Sequence, residues 1–176
     1  DFELMKWIGA NSFRTSHYPY SEEFYRMADR EGILVIDEVP AVGLFDHSLS
    51  NVVAFTGEKT EFFERESIPK LLKNHLQAIE EMVVRDKNYA CVFAWSLLNE
   101  PDTSNEAAQP YFKALFDLTH ELDTQKRPRT FALIANSLPD TCKCYHFSDF
   151  ISLNRYYGWY LQGGRSEERR VGKECR

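Results

Sequence analysis

Cysteine is scarce: Cys91, Cys142, Cys144 and Cys175 are the only four in 176 residues, too few for a disulfide framework in a chain of this length. Cys91 opens an apolar stretch and reads as a packed thiol. Cys142-Lys143-Cys144-Tyr145-His146 offers three soft donor groups, but zinc sites usually keep two or more residues between paired cysteines, so the stretch reads as a loop and no metal is expected. Long apolar runs are missing too: nothing approaches the ~18 residues of a membrane-spanning helix. Basic residues are outnumbered, 21 Lys and Arg against 27 Asp and Glu for a net charge of −6, which argues against binding a phosphate backbone. Neither a nucleic-acid nor a membrane partner is expected. Of the eight glycines, none forms a glycine-rich phosphate loop after a strand, which disfavours a nucleotide-binding fold. Asp1-Phe2-Glu3-Leu4 resembles the middle of a helix rather than a natural start, without an initiator Met, so the absence of a visible secretory signal says little about location.

What is present is ordinary for a globular protein: 43% apolar, 14% aromatic and 27% charged residues, enough for one sizeable core. The last twelve residues, 165–176, are mostly charged without apolar periodicity. They are expected to be a non-native or disordered tail, leaving 1–164 as the folded part.

The rest alternates between strand and helix. Gly9 fits the C′ position of a helix that includes Leu4, Trp7 and Ile8, and Asn11 to Ser16 follows as a short strand. Ser21 is a plausible N-cap, with Glu22 and Glu23 in the electropositive first turn, Phe24, Met27 and Ala28 as the apolar face, and Gly32 as the stop. Ile33 to Ile36 is an apolar strand ending at Asp37-Glu38. Leu72, Leu76, Ile79 and Val83 recur at helical spacing, as do Tyr111, Phe112, Leu115, Leu118 and Leu122. Between these helices, Val92 to Leu97 has the continuous apolar pattern of a parallel strand covered on both faces, and Asn99-Glu100-Pro101 closes it. Thr130 to Ala135 and Phe150 to Asn154 add two more strands. Residues 44–74 break the rhythm with a long connection, and Phe45, Phe55, Phe62 and Phe63 within it need something to pack on: a substrate, a neighbouring subunit, or the barrel itself.

Five strands in strand-helix repeats imply a parallel sheet, either a closed βα barrel or an open doubly wound one. Polar residues cluster where the strands finish: Arg14 and His17, Asp37 and Glu38, Asn99 and Glu100, Asn136, then Asn154 and Tyr156. That is where barrel enzymes carry their catalytic groups. A full barrel takes about 250 residues, so the expected fold is α/β, a partial TIM (β/α)8 barrel. Glu100 is the leading candidate for chemistry, delivered to the rim by a buried strand. Its competing reading is a carboxylate that caps the following helix.

Four segments, in order, resemble the bacterial β-glucuronidases of glycoside hydrolase family 2: Trp7 to Tyr20, Val35 to Glu38, Trp95 to Asp102, and Leu153-Asn154-Arg155-Tyr156-Tyr157-Gly158-Trp159-Tyr160. Asn-Glu-Pro is shared by many retaining barrel glycosidases and Arg-Thr-Ser-His-Tyr-Pro by much of family 2, whereas the last segment is particular to β-glucuronidases. The resemblance implies a chain running from the first helix to the sixth strand of the barrel. It implies cofactor-free, retaining hydrolysis of a small-molecule glucuronide or a glucuronic-acid-terminated glycan, in a cytoplasmic homotetramer. Retaining glycosidases use two carboxyl groups about 5 to 5.5 Å apart, one the nucleophile and one the acid/base. By resemblance Glu100 is the acid/base and Asn99 contacts the sugar hydroxyl beside the reacting carbon. Arg14 corresponds to the residue that orients the nucleophile, His17 lines the pocket, and Asn154, Tyr156 and Tyr160 surround the glycone, Tyr160 near its carboxylate. The family's nucleophile Glu and its Asn-x-Lys carboxylate-binding element follow the sixth strand and match nothing in this chain, so the chain alone is expected to be inactive. The alternatives are another family 2 glycosidase, a β-galactosidase or β-mannosidase, and a noncatalytic carbohydrate-binding barrel.

Overall fold

The computed structural model describes residues 1–45, 61–134, 137 and 140–156. Helix α1 spans Phe2–Trp7, β1 Ser12–Arg14, α2 Glu22–Glu31 and β2 Leu34–Glu38. These are followed by α3 Ile68–Asp86, β3 Val92–Asn99, α4 Gln109–Leu122, β4 Arg129–Leu133 and β5 Ser152–Leu153. The five strands form one parallel sheet in sequential order, β1-β2-β3-β4-β5. Parallel neighbours require crossovers, and helices supply those from β1 through β4 while a 3-10 turn at Tyr145–Phe147 lies between β4 and β5: this is the curled half-barrel expected of a partial TIM barrel. Among the described residues no helix is long and apolar enough to cross a membrane.

The helix boundaries follow local chemistry. Gly9 and Gly32 adopt left-handed φ of 75° and 68°, which cost a glycine little and end α1 and α2 where the sequence places their stops. Helix α2 buries Tyr25 and Ala28, while Met27 stays 37% exposed. The expected face is therefore rotated: Tyr25 points inward because its hydroxyl donates to Asp37 Oδ1 at 2.6 Å, a partner that apolar periodicity does not count. Leu4, Trp7 and Ile8 lie on the exposed side of α1, and Phe2 is its buried anchor.

The long connection before α3 is partly structured. Phe62–Glu64 forms a 3-10 turn, and buried Phe63 meets the Tyr111 and Phe112 rings edge-on at 5.1 and 6.1 Å. Packing against the barrel accounts for Phe62 and Phe63; Phe55 lies outside the described residues.

His75 and Asp37 are among the buried titratable groups. His75 bonds Tyr111 Oη through Nδ1 at 2.9 Å and the Leu97 carbonyl through Nε2 at 3.0 Å. A carbonyl only accepts, so Nε2 carries the proton, and burial holds the ring down to about 4. Asp37 accepts from Tyr25 and from Thr15 Oγ1, yet burial, reinforced by the Asp86 carboxylate, pushes it up to about 8. A proton on Oδ2, which has no other partner, fits that environment.

The two act in opposite directions. Unfolded His75 takes up a proton below its ordinary 6.5, so its contribution is present above 6.5 and lost as pH falls toward 4. Asp37 keeps its proton when folded, so its contribution is present below 3.8 and lost as pH rises through 8. Of this pair, only Asp37 acts between pH 6.5 and 8. Over that interval the urea midpoint of the chain is expected to fall by the equivalent of about 1.5 kcal/mol, and in Asp37→Asn, which mimics the protonated carboxyl, to stay level. A wild-type midpoint that is equally flat contradicts the assignment.

Candidate active site

Four of the five described strands contribute polar groups to one rim. Arg14 closes β1, Glu38 closes β2, Asn99 closes β3, and Asn154 follows β5. The rim is tied together by backbone: Asn99 N–H donates to the Ala41 carbonyl, Gly43 N–H to the Asn99 carbonyl, and Asn154 N–H to the Leu133 carbonyl.

Strand β3 owes its useful geometry to an irregularity. Ser96 pairs with Thr130 and Asn99 with Ala132, three residues advancing on β3 against two on β4. Such a bulge reverses the alternation of side chains. Ser96 and Asn99, an odd number apart, can then address the same set of groups: Ser96 Oγ donates to Glu38 Oε2 at 2.7 Å, Arg14 lies 3.3 Å from that carboxylate, and Arg14 Nη2 is 3.5 Å from Asn99 Oδ1.

Glu100 comes just past the strand with φ of 52°, a left-handed conformation uncommon for a residue with a side chain. Its N–H donates to the Ala132 carbonyl at 2.8 Å. The carboxylate does not cap a helix. The following 3-10 turn is capped by Asn105, whose side chain accepts from Ala107 N–H. Glu100 Oε1 instead accepts from Asn154 Nδ2 at 2.8 Å and from the Tyr156 hydroxyl. Asn154 Nδ2 also donates to Asn99 Oδ1 at 3.0 Å, and Arg14 Nη2 is 3.5 Å from Asn154 Oδ1. Asn99, Glu100, Asn154, Tyr156 and Arg14 are thus brought together. His17 joins them through Glu38, with Nδ1 2.7 Å from Oε1. Tyr160 and Asn136 lie outside the described residues.

Glu38, which sequence reasoning left at a strand end without a role, is the buried carboxylate that joins Arg14, His17 and Ser96 at this rim. Its signal was Ser96, a hydroxyl within an apolar strand, which has to find a buried partner. Cys142 and Cys144 are buried free thiols, and burial pushes the Cys144 thiol well up from its ordinary value. Among the described residues no three His, Cys, Asp or Glu side chains cluster closely enough to hold a metal ion.

The model of the glycosyl hydrolases family 2 TIM barrel domain matches residues 1–175. The chain belongs to glycoside hydrolase family 2. It is 45% identical over 172 residues to a β-glucuronidase of Streptococcus agalactiae, covering 98% of this chain and 28% of that protein. To the human β-glucuronidase it is 44% identical over 167 residues, covering 95% of this chain and 23% of that one. The crystal structure of Ruminococcus gnavus β-glucuronidase in complex with uronic isofagomine superposes with a TM-score of 0.88 at 52% identity, covering 98% of this chain and 29% of that one. This family 2 chain therefore spans less than a third of the relatives it matches.

Proposed function

We propose that this family 2 chain supplies the acid/base half of a retaining β-glucuronidase site. The observation that carries the reading is the Glu100 carboxylate, held by Asn154 and Tyr156 beside Asn99 at a strand-end rim, in a chain about half identical to β-glucuronidases of known structure. Glu100 protonates the leaving oxygen and then activates water. Asn99 holds the sugar hydroxyl next to the reacting carbon, where its hydrogen bond strengthens as positive charge develops on the ring. Arg14 and His17 line the pocket, and Asn154, Tyr156 and Tyr160 enclose the glycone. The second carboxylate is supplied by sequence outside the described residues, and no cofactor takes part. A cytoplasmic homotetramer belongs to the same proposal, resting on likeness to the bacterial members.

The test is a graft: residues 1–164 replace the aligned segment of the Ruminococcus gnavus enzyme. The grafted enzyme is expected to release nitrophenol from 4-nitrophenyl β-D-glucuronide within about tenfold of the parent kcat, with β-glucuronic acid as the first product by proton NMR. A graft that melts like the parent and forms the same oligomer yet gives no turnover supports the noncatalytic barrel instead.

A further inference from the structure

Glu38 is fully buried, and both of its carboxylate oxygens have partners. Ser96 Oγ and the Arg14 guanidinium meet Oε2, at 2.7 and 3.3 Å, and His17 Nδ1 meets Oε1 at 2.7 Å. Its backbone is fixed as well, since Glu38 N–H donates to Thr15 Oγ1 at 2.8 Å. A carboxylate with no water around it persists only when donors surround it, and here β3 provides Ser96, β1 Arg14, and the turn after β1 His17. Two of the donors, Arg14 and His17, are only part-buried at the rim, with side chains 22% and 40% exposed.

We infer that Glu38 is a positioning residue for the glycosidase site. Its carboxylate sets the direction of the Arg14 guanidinium and the protonation pattern of the His17 ring. Ionised carboxylates only accept, so His17 must carry hydrogen on Nδ1. Arg14, whose Nε donates to Ser16 Oγ at 3.1 Å and lies 3.3 Å from Glu38 Oε2 as an ion pair, extends Nη2 toward Asn99 and Asn154, the two amides that flank Glu100. The effect on catalysis runs through Arg14 and rests on the glycosidase reading; the ring assignment does not.

Glu38→Gln separates the possibilities because it keeps the shape. An amide oxygen can still receive Ser96 and Arg14, but its NH2 then faces His17 Nδ1, which has to give up its hydrogen. In the 176-residue chain labelled with 15N-histidine, His17 is expected to show a protonated Nδ1, and E38Q to move the hydrogen to Nε2. In the grafted enzyme, E38Q is expected to lower kcat about 10- to 100-fold with KM changed less than threefold and the melting temperature little altered. Combined with Arg14→Lys, it is expected to cost no more than about threefold beyond R14K alone, since both changes break one link.

An Nδ1 without hydrogen in the wild-type chain, or a ring unmoved by E38Q, overturns the assignment. E38Q turnover within twofold of the graft, or losses that multiply in the double variant, overturns the link through Arg14. If the unmutated graft folds but is inactive, the glycosidase reading fails and with it the catalytic link, while the ring measurement still decides how Glu38 holds His17.

Discussion

In the grafted enzyme, Glu100→Gln is expected to cut hydrolysis of alkyl glucuronides by about 10³-fold, the scale of general acid catalysis, while sparing the first step with nitrophenyl glucuronide. An alkoxide is too basic to leave without a proton, whereas nitrophenolate leaves unaided. Loss of the same carboxylate also removes the base that activates water, so with the activated substrate the glycosyl-enzyme should accumulate. Azide needs no deprotonation and should restore turnover, giving β-glucuronosyl azide. The fold itself should tolerate the change, because an amide at position 100 can still accept from the Asn154 and Tyr156 groups that hold the carboxylate. Equal losses on both substrates, with no azide effect, would remove Glu100 from the acid/base role and take the proposed function with it.

How far the sequence foretold this arrangement depends on which interaction decides each element. Strands closed by polar residues were legible, since an apolar run that stops at Asp37-Glu38 or Asn99-Glu100 has few other readings. Helix stops at Gly9 and Gly32 were legible because backbone conformation, a local property, sets them. The α2 face was misjudged where a hydrogen bond outweighed apolarity: Tyr25 turns inward to reach Asp37, and Met27 is left partly exposed. At the site, two-residue periodicity says that Asp37 and Glu38 face opposite ways but not which faces the rim. Only the partners settle that, Tyr25 of α2 for Asp37 and Arg14 with His17 for Glu38. The bulge in β3 left no trace because Val92 to Leu98 is apolar on both faces except at Ser96, so a slip of one residue does not disturb the pattern. Interactions between residues far apart in the chain carry the remainder.

Asp123→Ala is expected to destabilise the chain by about 3 to 5 kcal/mol, the scale for stripping one partner from a buried charge network, against a total of about 5 to 15 for a domain. Asp123 is 1% exposed just after α4. Burial by itself would raise its carboxyl, but donors outweigh it and hold it below the usual carboxylate range: Trp95 Nε1, the Arg127 and Gln125 N–H groups, and the Arg127 guanidinium. A negative charge at a helix C-terminus opposes the helix dipole by about 0.3 to 1 kcal/mol, so the donors, not the helix, must account for the residue. Alanine would leave the Trp95 indole N–H and the Arg127 guanidinium, whose side chain is 8% exposed, without their shared acceptor. Asp123→Asn keeps an oxygen for some of the donors and should lose roughly half as much. Trp95 fluorescence followed through a urea titration reads both variants, because the indole itself is the reporter. The consequence reaches the rim: Trp95 lies on β3 five residues before Glu100, so freeing its ring loosens the strand that presents the carboxylate. In the grafted enzyme D123A should therefore lower kcat at temperatures well below its melt. An alanine variant with an unchanged urea midpoint would mean that water replaces the lost acceptor and that this end of β3 is held by packing alone.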